Sequence, residues 1–154
     1  MNFEFLSELN KGALLTAVKE NGDINTMTVS WGGVGVLWGK RVGFVFVRPQ
    51  RHTFLFTQNG TKMSLSFLKE EKESALSYCG TKSGRDVNKF KECGLEYSLK
   101  NGYPILKDAG VTLILEKIYA DDIKKECFID TDSLKWYKND DYHKMYICEI
   151  KEII

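Results

Sequence analysis

Apolar residues in this chain fall in short blocks or alternate with polar ones, and seldom recur every three to four positions. That pattern predicts strands joined by turns, with few helices. Ala13–Val18 is a short apolar run followed by Glu20-Asn21-Gly22-Asp23, a strong hairpin signal. Residues 24–31 form the returning strand, with Thr and Val suited to a pleated surface. Residues 32–39 are too glycine-rich for a regular element and too apolar for an idle surface loop. Residues 42–47 are apolar on both faces and predict a central third strand, stopped at Arg48-Pro49 because proline cannot donate to a ladder. Residues 52–57 fit helix or strand, and a short helix with Thr53 near its start and Asn59-Gly60 at its end is favoured. Residues 62–68 alternate Met63, Leu65 and Phe67 against Ser64, Ser66 and Leu68, as a half-buried strand would. Residues 69–79 read as a helix with glutamates in its first turn. Asp86 can cap a second helix that buries Val87 and Phe90 and stops at Gly94. Residues 111–119 and 142–150 return to strands, and the polar stretch 130–141 between them reads as irregular. The expectation is a single domain over residues 1–154, mainly β within the α+β class, forming a closed or nearly closed barrel.

Composition narrows the function classes without selecting one. With 154 residues the chain can bury roughly 70% of its unfolded surface. Charged residues at 28% and a net charge of +1 argue against disorder and against the clustered Lys/Arg of a nucleic-acid binder. No uncharged stretch reaches the roughly 20 apolar residues of a membrane helix, and the acidic start lacks the bases of a signal peptide, so a cytoplasmic protein off the membrane is expected. Cys79, Cys93, Cys127 and Cys148 are widely spaced, and with only His52 and His143 no zinc site is expected. The cysteines read as reduced core or near-core residues.

Three segments concentrate the unusual residues. In Asn25-Thr26-Met27-Thr28-Val29-Ser30-Trp31-Gly32-Gly33, small hydroxyl residues run into a Gly-Gly turn that lets a flat ligand approach the backbone. By itself, a strand rich in Thr and Ser ending in a turn is the favoured reading. Arg48-Pro49-Gln50-Arg51-His52-Thr53 sets two arginines and a threonine at a strand-to-helix junction, either a phosphate cradle or a pair of solvated cations. Cys79-Gly80-Thr81-Lys82-Ser83-Gly84-Arg85-Asp86-Val87-Asn88-Lys89 places cations, hydroxyls and glycines before a helix start, an anion-binding recipe, although alone it reads first as a flexible loop. It has neither P-loop nor dinucleotide spacing. No Ser-His-Asp arrangement, carboxylate pair or metal-ligand spacing competes, so chemistry supplied by a cofactor is the simplest account.

Taken in order, N-T-M-T-V-S-W-G-G (25–33), V-R-P-Q-R-H-T (47–53), C-G-T-K-S-G-R-D-V-N-K-F (79–90) and D-Y-H-K-M-Y (141–146) resemble the flavin reductase-like, FMN-binding split-barrel family, and within it the flavoredoxin branch. The resemblance spans roughly residues 11–150. It implies a six-stranded split β-barrel with a few short helices, a homodimer, and one FMN per subunit near the interface. It places Met27, Thr28, Val29, Ser30 and Trp31 along the isoalloxazine. Arg48, Gln50, Arg51 and Thr53 then lie near the phosphate and ribityl chain, completed by Cys79, Gly80, Ser83, Gly84 and Lys89. Tyr142 and His143 approach the flavin from the last strand, on the same or the other subunit. Asn88 departs from the acid that similar sequences carry. The implied activity is an NAD(P)H-dependent flavin reductase passing hydride to flavin N5. The alternative is a flavoredoxin-like electron carrier served by a redox partner protein.

Overall fold

A computed structural model describes residues 4–154. Nine strands and four short helices follow one another along the described chain: α1 (Phe5–Lys11), β1 (Ala13–Val18), β2 (Ile24–Val29), β3 (Gly32–Leu37), β4 (Lys40–Val47), α2 (Thr53–Asn59), β5 (Lys62–Leu68), α3 (Ser74–Thr81), α4 (Lys89–Glu92), β6 (Tyr97–Lys100), β7 (Tyr103–Leu106), β8 (Ala109–Asp122) and β9 (Lys144–Ile153). Short 3-10 turns occupy Glu70–Lys72, Lys125–Cys127 and Asp132–Trp136.

Seven strands form one antiparallel sheet in the order β2-β1-β5-β8-β9-β4-β3, and β6 and β7 pair as a separate hairpin. The two ends of the large sheet, β2 and β3, are consecutive in the chain yet do not pair, which is the split in the barrel. Its interior is one apolar cluster drawn from both ends and the middle: Met27 and Val29 from β2, Val45 and Val47 from β4, Leu15, Met63, Leu115 and Tyr146 between them. A second cluster of Leu14, Ala75, Cys79, Leu95 and Leu106 lies outside the barrel, where α3 and the hairpin cover β1. β1 is therefore buried on both faces.

Several expectations need correction. The barrel sheet has seven strands, one more than the six expected, because residues 32–37 are a strand. They pair with β4 from Gly32 opposite Val45 to Leu37 opposite Lys40. Glycine suits this edge for a packing reason: a Cβ on Gly32 would lie 2.7 Å from the Phe44 carbonyl oxygen. β4 is consequently second from an edge and not central. β5 is buried throughout Met63–Phe67, including Ser64 and Ser66, because the β6–β7 hairpin packs over its outer face. No period-2 pattern announced that hairpin, and α1 was not foreseen. The helix expected over 69–79 begins as a 3-10 turn and runs on to Thr81. Asn88, not Asp86, caps α4: its Oδ1 accepts from the Lys91 N–H at 3.1 Å. Of the cysteines, Cys79 and Cys148 are buried and Cys127 is exposed.

Candidate functional site

A cavity of about 130 Å³ sits at the split, where the chain leaves one end of the sheet for the other. Met27, Thr28, Val29, Ser30 and Trp31 line it from the end of β2. Phe46 and Arg48 face them from the end of β4, Arg51 from the turn before α2, and His143 from the start of β9. The first, second and fourth motifs, which lie as much as 116 positions apart by number, 27 against 143, thus meet in one place. Thr28 also ties the wall together, its Oγ1 donating to the Leu76 carbonyl of α3 at 2.6 Å. Trp38 does not reach the cavity; its ring meets Tyr119 at 5.9 Å on the outside.

A larger cleft of about 640 Å³ opens toward the other end of β2, lined by Asn25, His52, Phe56, Gly84, Arg85 and Lys89 among others. The Gly84 loop presses onto β2 so closely that an added Cβ would come within 2.9 Å of the Asn25 carboxamide carbon. That carboxamide donates to Thr53 Oγ1 at 2.9 Å, so Thr53 braces the cleft from behind and is itself buried. Ser83 shapes the loop, its Oγ accepting from the Arg85 N–H at 3.2 Å. Arg85 reaches across to the Gln50 carbonyl at 3.2 Å. His52 Nδ1 is fully buried and has no partner among the described residues. Burial, then Arg85, lowers the pKa of His52, so the ring is neutral at pH 7.

Between cavity and cleft, two cations converge on one carbonyl. Arg51 Nη2 donates to Cys79 O at 3.3 Å, and Lys89 Nζ donates to the same oxygen and to Thr26 O, both at 2.9 Å. Lys89 is only 3% exposed. Burial, and then Arg51 nearby, pull its pKa from 10.5 to about 8. Cys79 contributes its main chain: its thiol is buried and pushed up to about 12, first by burial and then by Cys93, which removes it as a nucleophile. Gly80, in the last turn of α3, lies against Thr28.

The segment between β8 and β9 straps over the small cavity. Arg48 holds it through Asp141 Oδ2 at 2.9 Å, the Trp136 carbonyl at 2.8 Å, and the face of the Tyr137 ring at 4.9 Å. Gln50 Nε2 donates to the same Asp141 oxygen at 2.6 Å. Burial alone would raise the Asp141 carboxyl, but Gln50 and Arg48 hold it below its usual value. Arg48, at the cavity wall, and Gln50 thus clamp the strap, whereas Arg51 lines the cavity without holding the strap and Arg85 and Lys89 line the cleft. Trp136 meets Trp31 edge-on at 5.2 Å. Tyr142 stacks against Tyr137 at 4.7 Å and does not line the cavity. His143 is 7% exposed, and burial followed by Arg48 lowers its pKa to about 4.

Sequence reasoning missed Asn25, His52 and Arg85 as cleft residues and Phe46, Trp136 and Tyr137 around the cavity. The available signal was three aromatics, Trp136, Tyr137 and Tyr142, within an otherwise polar stretch. Among the described residues no group of three His, Cys, Asp or Glu could hold a metal, and no helix is long and apolar enough to cross a membrane.

Comparison with known proteins agrees with this layout. The flavin reductase like domain model matches residues 9–150. No curated protein matches the chain. Among solved structures, an FMN-binding protein from Thermus thermophilus superposes with a TM-score of 0.70 at 20% identity, over 93% of this chain and 68% of that one. Flavoredoxin of Desulfovibrio vulgaris gives 0.72 at 16% identity, over 93% and 68%. The styrene monooxygenase flavin reductase of Pseudomonas putida S12 gives 0.65 at 19% identity, over 93% and 77%. At these identities the likeness is one of fold.

Proposed function

The chain belongs to the flavin reductase-like domain family, and from that premise we propose that it is an FMN-dependent oxidoreductase drawing electrons from NAD(P)H. The observation that carries this reading is the meeting of a backbone-walled cavity and a cation-lined cleft at the two ends of β2, within the reach of one flavin nucleotide. The donor set fits the cofactor. The cleft has a volume inside the roughly 300–1,000 Å³ range of ligand sites. It offers Arg85, the buried Lys89 and the unpartnered His52 Nδ1, while Arg51 faces the cavity. Charge-assisted bonds of this kind suit a phosphate.

In this reading Arg51, Arg85 and Lys89 hold the phosphate end, with Ser83, Gly84 and Thr53 fixing the loops that carry them. Met27–Trp31 wall the ring end, the main-chain groups of Met27–Val29 positioned by β1 pairing on one side. FMN held there would supply the two-electron redox chemistry. The four cysteines are unpaired, which suits the reducing cytoplasm. A homodimer belongs to the same reading. β3 is an edge strand carrying exposed Val34 and Val36, with exposed Trp38 in the turn after it, a row that a second copy would cover.

The test is direct. The purified protein reconstituted with FMN should show a flavin absorbance band that bleaches on adding NADH or NADPH. Turnover no faster than that of free FMN would refute the enzymatic reading. A second reading, a flavoredoxin-like carrier reduced by a partner protein, is supported by the small space at the ring end. Trp31 and Trp136 are in edge contact there, and the space is about 130 Å³. It predicts a yellow protein inert to nicotinamides and reducible by ferredoxin-like donors.

A further inference from the structure

We propose that Tyr137 is a positioning residue that fixes the tautomer of His143, so that His143 presents a permanent Nε2–H donor to an acceptor atom of the ligand in the cavity. The identity of that ligand rests on the FMN reading; the tautomer does not. His143 is one of two histidines, and its imidazole is locked among rings: Trp31 at 5.4 Å, Tyr137 at 5.5 Å and Phe46 at 6.4 Å. It lines the cavity at the split.

Its protonation follows from its surroundings. The ring is buried, and the charged groups that face it are Arg48 from the end of β4 and Asp141 from the strap, which are paired with each other. A neutral imidazole carries one hydrogen, and the question is on which nitrogen. Nδ1 lies 2.7 Å from Tyr137 Oη. Burial raises the phenol of Tyr137, so it keeps its proton at pH 7. If Nδ1–H donated to the phenol oxygen, the phenol hydrogen would need another acceptor, and among the described residues Oη bonds only to His143. If the phenol donates to Nδ1, both groups are used. The geometry therefore leaves the imidazole hydrogen on Nε2 of a ring that lines the cavity.

Tyr137 is itself held in place. Arg48 sits over its ring at 4.9 Å, Tyr142 stacks on it at 4.7 Å, and Phe128 meets it at 6.1 Å. Because Arg48 is also bonded to Asp141 and to the Trp136 carbonyl, the strap and the tautomer are set by one clamp. An Nε2–H donor at this place would recognise a carbonyl oxygen or an unprotonated ring nitrogen, and would not bind a second donor.

The experiment uses the full chain labelled with ¹⁵N-histidine, with His52→Gln to assign the two rings. Long-range ¹H–¹⁵N spectra at pH 7 should show His143 with a pyridine-like Nδ1 and a pyrrole-like Nε2 in the flavin-free protein. Tyr137→Phe keeps the ring and its packing and removes only the hydroxyl; its His143 nitrogens should move toward exchange-averaged shifts. A wild-type spectrum with the hydrogen on Nδ1, or an unchanged spectrum in Tyr137→Phe, overturns the proposal. The wild-type measurement decides the tautomer even if the variant fails to fold. Adding FMN should then shift the Nε2–H resonance. FMN that binds without moving it overturns the donor role and leaves the flavin reading intact. Absence of any FMN binding overturns the flavin reading and the donor role toward it, while the tautomer result stands by itself.

Discussion

Lys89 offers a quantitative test of how the site is built. Its ammonium is buried and donates to two carbonyls, Thr26 O and Cys79 O, and its pKa falls from 10.5 to about 8. A lysine whose folded pKa lies below its unfolded value is a burden while it is protonated in both states. As pH rises between the two values, the unfolded chain holds the proton that the folded one has released, so stability increases with pH. The fall from 10.5 to about 8 corresponds to about 3 kcal/mol in all, and about 2 kcal/mol of it is recovered between pH 7 and 9.5. The perturbation is Lys89→Met, which keeps the length of the side chain and removes the titration. Chemical denaturation of both proteins, followed by tryptophan fluorescence at pH 7 and at pH 9.5, isolates the effect, because the other titrating groups cancel in the difference. Wild type should gain about 2 kcal/mol over Lys89→Met across that interval. A difference between the two proteins that does not change with pH would refute the claim that this lysine sits desolvated between cavity and cleft.

Three further outcomes are expected. Arg51→Ala should weaken FMN binding about ten- to a hundredfold, the roughly 1.5–3 kcal/mol of a charge-assisted contact, read by quenching of flavin fluorescence; an unchanged titration removes Arg51 from the phosphate site. Gly84→Ala should destabilise the fold by about 1–3 kcal/mol, because its Cβ drives into the Asn25 carboxamide and disturbs the bond to Thr53. A thermal midpoint equal to wild type would mean that the loop does not press on β2. Val36→Lys, on an edge-strand residue 78% exposed, should convert a dimer to monomer in sedimentation velocity without lowering the thermal midpoint of the monomer. A wild-type protein that is already monomeric at micromolar concentration would end the dimer proposal.

Much of the fold was legible because its signals are local. The β1–β2 hairpin follows from Asn21-Gly22 between two apolar runs, and Asn21 does close the turn, its side chain accepting from the Asp23 N–H at 3.0 Å. Residues 32–37 misled because glycine reads as a breaker when its reason, the close approach of the Phe44 carbonyl, lies on another strand. Ser64 and Ser66 misled because what buries them is the hairpin over 97–106, whose own strands are short and mostly exposed on the first limb. Asp86 looked like a helix cap by type, but its backbone is turned by Ser83, which leaves the position to Asn88.

Turn chemistry and strand propensity act over a few residues, so the mainly β character, the turns, and three segments rich in glycine, hydroxyls and cations are legible along the chain. Which of those cations clamp and which face a ligand was decided by the tertiary structure alone. Arg48 and Arg51 are three positions apart and look alike along the chain. Arg48 meets a carboxylate 93 residues away, while Arg51 and Lys89 meet at the Cys79 carbonyl. A guanidinium takes its role from the partners that folding brings within hydrogen-bond distance. For Arg48 and for Tyr137 beneath it, those partners are Asp141 and His143, both contributed by the segment that closes the barrel last.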